Sequence, residues 1–189
     1  MIPKYKGFAS QKIAGPREVL PAGGYVCEIK DAKVERFDWG DKLIISYDVA
    51  EGEHKDFFRK DWTNNQNPDR KWRGTLRLSI PTGDGSQSDT WSVRSFNNFA
   101  ASLEESNSGY HFDWDESKLK GKAIGILVRD REYEIEGRRG WTTEACSVTD
   151  VQSIRDGKFR MPKAKPLKDA PQTPASSFSA AEDEGDLPF

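Results

Sequence analysis

Flat aromatic rings and positive charges fall together at three places in this 189-residue chain. Phe37 and Trp39 flank a turn. Phe57, Arg59, Lys60 and Trp62 are followed by the compact cluster Lys71, Trp72 and Arg73. Arg129, Arg131 and Tyr133 precede a second turn, and Arg138, Arg139 and Trp141 follow it. These side-chain types suit a polyanion that carries unpaired rings. A base stacks on an aromatic side chain for about 1 to 3 kcal/mol whatever its identity, while Lys and Arg neutralise the phosphates. Reading a duplex would instead require a helix that enters a groove. On an alternating strand, one of the adjacent Phe57 and Phe58 must point inward, so core packing competes with exposure there.

No catalytic constellation accompanies these clusters. His54 and His111 have no partners at zinc spacing, and no phosphate-binding Gly-Lys-Ser/Thr loop is present. Gly83-Asp84-Gly85 lacks the strand-to-helix setting of a nucleotide fingerprint. Asp113, Asp115 and Glu116 read as turn and helix-cap residues, because no further ligands follow at calcium-loop spacing. The expectation is a protein without enzymatic activity, metal or cofactor. Cys27 and Cys146 lie in strand-like runs and read as reduced, semi-buried side chains, which suits a reducing cytoplasm. No run of about 18 apolar residues occurs, so a membrane span is not expected.

Several elements must position the clusters. Residues 1–23 read as a loosely packed arm. Apolar residues in 25–37 change phase near Asp31 and Ala32, which predicts a long strand with a bend or bulge. Residues 42–50 alternate Leu43, Ile45, Tyr47 and Val49 against Ile44, Ser46 and Asp48, a half-buried strand. Residues 54–62 read as a third strand that completes a meander. Val93, Phe96, Phe99, Ala100 and Leu103 define one face of a helix over 91–105, with Asp89 or Thr90 as its N-cap. Residues 122–135 and 141–154 read as two final strands. Three strands, a helix and two strands predict an all-β, five-stranded OB-fold barrel with one helix between strands three and four. Such a barrel binds with strands two and three and with the loops joining strands one to two and four to five.

Charge is distributed unevenly along the chain. Lys and Arg total 29 against 31 Asp and Glu, for a net charge of -2. Residues 158–168 nevertheless hold five bases and no acid, and residues 169–189 hold five acids and no base. A near-neutral body can therefore hide a cationic groove. Residues 158–181 read as a basic, then Pro/Ser/Ala-rich disordered linker. Residues 182–189 form a tip in which Asp183, Glu184 and Asp186 precede Leu187, Pro188 and Phe189. An aromatic ring beside a terminal carboxylate suits a hydrophobic pocket rimmed with cations, so the tip reads as a partner-binding segment.

The tip resembles the acidic ending in Asp-(Ile/Leu)-Pro-Phe of bacterial single-stranded DNA-binding proteins. Glu105-Ser106-Asn107-Ser108-Gly109-Tyr110, Leu119-Lys120-Gly121-Lys122 and Arg131-Glu132-Tyr133-Glu134 resemble the domain found in phages and integrative elements of Gram-positive hosts. The resemblance implies an OB-fold body over 24–157 that coats single-stranded DNA without sequence preference. It also implies a tip that recruits replication, recombination and repair proteins. Two other readings remain: an RNA-binding OB protein, which would use the same platform, and a protein-interaction adaptor whose body binds no nucleic acid.

Overall fold

The computed structural model describes residues 18–167. The tip 182–189 and residues 1–17 of the arm lie outside the described residues. The chain forms five strands, β1 (Gly23–Glu35), β2 (Lys42–Val49), β3 (Thr75–Ser79), β4 (Ala123–Ile135) and β5 (Arg138–Thr149). Three helices accompany them, α1 (Phe57–Asn64), α2 (Gln87–Ser106) and α3 (Val151–Arg155). The strands make one antiparallel sheet in the order β3-β2-β1-β4-β5.

Alternation builds the sheet. Leu43, Ile45, Tyr47 and Val49 of β2 face the core with Cys27 and Ile29 of β1, Leu76 and Leu78 of β3, and Ile124, Ile126 and Val128 of β4. The pairing of β1 with β2 slips between Ile29 and Asp31, where the sequence changes phase. This bulge bends β1, so its first half pairs with β4 while most of its pairing with β2 lies beyond the bend. Helix α2 covers the core with Phe96, Phe99 and Leu103. Its N-cap is Ser86, not Asp89 or Thr90: the Ser86 hydroxyl accepts the Asp89 N–H at 3.1 Å. Asp89 turns back to accept the N–H of Thr82 at 2.7 Å, tying the preceding loop to the helix.

The all-β expectation is corrected in three respects. First, residues 54–62 are not a strand; α1 occupies most of that stretch. Phe57 and Phe58 are both buried, which alternation forbids and a helical face permits. The cap comes from a distant residue. Asp48 of β2, fully buried, accepts the N–H groups of Phe58 at 2.9 Å and Arg59 at 3.1 Å, the free donors of the first helical turn. The third strand is instead β3, and Gly74 at its entrance is held by space: a Cβ there would stand 2.3 Å from the Tyr47 carbonyl oxygen. Second, the last strand ends at Thr149, and Asp150 caps α3 by accepting the Ser153 N–H at 2.7 Å.

Third, the sheet is not closed into a barrel. β3 and β5 are its two edges, and among the described residues no ladder joins them. Helix α2 contacts both, and the Asn98 side chain of that helix donates to the Val148 carbonyl of β5 at 2.8 Å.

Residues 158–167, expected to open the linker, belong to the fold. The Lys158 N–H donates to Ser153 O at 2.9 Å, and Phe159 packs on Gly24, where a Cβ would stand 2.6 Å from the ring. Farther on, the Lys165 N–H donates to Asp130 O at 2.8 Å and its carbonyl accepts the Glu132 N–H at 2.9 Å, a parallel bridge to β4. This strap crosses from α3 to the part of β4 that extends beyond β1. Cys27 is buried and Cys146 half-buried, and neither forms a disulfide. No described helix is long and apolar enough to cross a membrane.

Candidate nucleic-acid interface

The predicted residues assemble into three groups. The first is the β1–β2 turn, closed by the Gly40 N–H donating to Phe37 O at 3.0 Å. Phe37 and Trp39 stack with ring centroids 4.9 Å apart and planes 20° from parallel. They remain 40% and 67% exposed. The Lys42 ammonium sits 4.5 Å from the Trp39 ring centroid. A ring pair held in register, with a cation on one face, offers a base a flat partner and its phosphate a counter-charge.

The second group gathers around α1 and is divided between fold and surface. Phe57 is buried in the core and presents no face to a ligand. Trp72 leans on Phe58, and its indole N–H is shared between the carbonyls of Tyr47 and Gly74, each at 3.1 Å. Arg73 spends its guanidinium on Asp61 at 3.4 Å and on the Glu18 carbonyl at 3.1 Å. These three residues hold the structure together. Trp62 rests 6.2 Å from the Trp72 ring, with the Arg70 guanidinium 4.7 Å from its own centroid. Arg59, Lys60 and Lys71 are exposed.

The third group is the β4–β5 hairpin, which overhangs the start of β1. Its register pairs Arg129 with Glu144, Arg131 with Thr142, Tyr133 with Gly140 and Glu132 with Trp141. Arg129, Arg131, Tyr133 and Arg138 therefore share one face, and Arg139 and Trp141 the other. Tyr133 lies flat against Gly140. Trp141 stands 54% exposed, and Arg139 pairs with Glu134 at 2.8 Å.

Glu144 organises the charged face. Arg129 lies 2.7 Å from it, Arg131 3.4 Å and Lys165 of the strap 3.5 Å, leaving a net positive cluster. Burial pushes the Glu144 carboxyl upward, but the hydrogen bond from Arg129 and the charges of Lys165, Arg129 and Arg131 outweigh it and hold the carboxyl below its ordinary value. With the folded pKa below the unfolded one, the stability that Glu144 contributes is complete at neutral pH and is lost as pH falls through the folded pKa. Thermal midpoints measured against pH should show an acid limb that flattens in Glu144→Gln. An unchanged limb would remove Glu144 from the account.

The groups do not form a single patch. The aromatic turn follows the last residue of β1 and the hairpin extends past its first, with the length of β1 between them and β2 and β3 to one side. Across these three strands Lys33, Ile44 and Arg77 stand side by side. The sequence reading passed over Arg77 and Lys33. The alternation Thr75-Leu76-Arg77-Leu78-Ser79 was the signal, five residues between a basic cluster and a Gly-rich loop. Among the described residues no group of three or more His, Cys, Asp or Glu side chains is disposed to hold a metal ion. The Asp113 and Asp115 carboxylates are engaged by Lys118, and Asp115 also accepts the Ser117 N–H at the start of a short 3-10 turn, Glu116–Leu119.

No protein-family model matches the chain, and no curated protein matches it either.

Proposed function

We propose that this chain binds single-stranded DNA without sequence preference, coats it during replication and recombination, and recruits partner proteins through residues 182–189. The observation that carries the reading is the exposed Phe37–Trp39 stack with Lys42 on its ring. Two large aromatic side chains held in water at a turn lose the benefit of burial, and a base that stacks on them restores it. The cations around Trp62 and along the β4–β5 hairpin extend the platform.

The sheet order supports a relation to the OB-fold, in which five antiparallel strands bind single strands on the same elements. In this relation α2 stands between the two edge strands where a barrel would close. The reading includes no catalytic step and no cofactor, and it places the protein in the cytoplasm.

The test is a fluorescence titration of the full chain with a deoxythymidine oligomer at increasing salt. Tryptophan emission should be quenched, and log affinity should fall with log salt by about 0.7 per phosphate contact. A duplex of equal length should bind more weakly. Equal affinity for duplex and single strand would overturn the reading, as would emission that ignores the oligomer. Preference for a matched RNA strand would reassign the ligand to RNA.

A further inference from the structure

Residues outside all three groups line a cleft of about 990 Å³ between α2 and the strap. Leu78, Leu127 and Val148 give it an apolar floor. Arg94 of α2 and Lys158, Arg160 and Lys163 of the strap line it, and no carboxylate does. In a chain whose acids outnumber its bases, an acid-free lining with four cations is a local departure.

These cations also differ from others of the protein. Arg73, Arg129, Arg139 and Arg155 each hold a carboxylate. Lys158 is paired with Asp156 at 3.0 Å, but Arg94, Arg160 and Lys163 have no ion-pair partner among the described residues. Trp91, one helical turn before Arg94, is 63% exposed and has no ring neighbour among the described residues. An unpartnered indole beside three uncompensated cations repeats the chemistry of the β1–β2 turn on a different wall of the molecule.

Charge complementarity calls for a polyanion, and continuity selects which one. The strap that forms one wall of the cleft continues to Lys165, whose ammonium joins Arg129 and Arg131 around Glu144. Positive charge therefore runs without a break in the chain from the cleft to the β4–β5 hairpin. A short acidic peptide would need only one end of that track, whereas a nucleic-acid strand can occupy its whole length.

We infer that the cleft is a second station for the same single strand. Trp91 stacks a base, Arg94, Arg160 and Lys163 take phosphates, and the strap carries the strand between hairpin and cleft. This inference rests on the proposed binding of single-stranded DNA.

The experiment compares the full chain with its Arg94→Ala, Arg160→Ala, Lys163→Ala triple variant, using long and short deoxythymidine oligomers. With the long oligomer, the slope of log affinity against log salt should become shallower by about 2, at about 0.7 for each lost phosphate contact. The short oligomer, which the β1–β2 turn alone can hold, should bind both proteins alike. Trp91→Ala, at an exposed position, should weaken the long oligomer alone. All replaced side chains are at the surface, and an unchanged thermal midpoint verifies folding.

An unaltered slope in a wild-type protein that binds the long oligomer overturns the inference and leaves the proposed function standing. A wild-type protein that binds neither oligomer overturns the proposed function itself. A synthetic peptide of residues 182–189 that binds the wild type but not the triple variant, with oligomer binding unchanged, would assign the cleft to an acidic peptide and also overturn the inference.

Discussion

The double replacement Phe37→Ala, Trp39→Ala is expected to lower affinity for a single-stranded deoxythymidine oligomer about tenfold to a hundredfold. The turn presents one stacked ring pair, and stacking a base is worth about 1 to 3 kcal/mol, with about 1.4 kcal/mol for each factor of ten. Both rings are exposed, so the thermal midpoint should hardly move, since surface replacements away from special features stay within about 0.5 kcal/mol. The salt slope should also stay close to that of the wild type, because no cation is removed. Oligomer titrations at two salt concentrations would separate these effects. Retention of wild-type affinity would remove the turn from the interface and with it the main support for the proposed function.

Asp48→Ala is expected to act on stability, with a loss of about 3 kcal/mol. The carboxylate is fully buried and accepts three backbone N–H groups, from Val49, Phe58 and Arg59. Each buried donor left without an acceptor costs about 1 to 3 kcal/mol. The N-cap residue Asp56 makes no side-chain cap to α1. For a chain of this size the loss corresponds to a fall of roughly 10 °C in Tm. Asp48→Asn should retain much of the stability. Its amide oxygen still accepts, and burial pushes the Asp48 carboxyl upward despite its three donors, so a neutral side chain relieves a cost that the charged one bears. Equilibrium unfolding followed by circular dichroism would measure both variants. An alanine protein as stable as the wild type would show that α1 is capped by other means.

Long and regular patterns were legible in the sequence. β2 appears in the alternation of 42–50, the bend of β1 in its change of phase, and α2 in the spacing of Phe96, Phe99 and Leu103. The β4–β5 hairpin and its clustered arginines were legible as well. Residues 54–62 were misread because two adjacent phenylalanines among cations fit either period, and the deciding partner, Asp48, acts across the fold. β3 was overlooked because five residues carrying a central arginine give a weak signal. α3 was merged into β5 because Val151 and Ile154 continue an apolar run, while the cap at Asp150 rests on the N–H and hydroxyl of one serine, Ser153. Within the candidate site, composition located the cations but could not show which were already held. Arg73 and Arg129 are engaged by carboxylates, whereas Arg59 and Arg138 have no ion-pair partner among the described residues. The strap eluded composition because its bridge to β4 is made by backbone groups, which leave no side-chain pattern.

That bridge also bears on how the molecule avoids its own copies. Where β4 runs past Gly23 it would present open N–H and C=O groups, a template on which a neighbouring chain could add a strand and begin aggregation. Lys165 occupies that site from within the same chain. Pro166 follows at once and Pro162 lies shortly before, and neither has an N–H with which to extend a ladder. The protein thus carries its own gatekeeper, a segment that terminates the sheet with proline and lysine at a place where pairing between molecules would otherwise start.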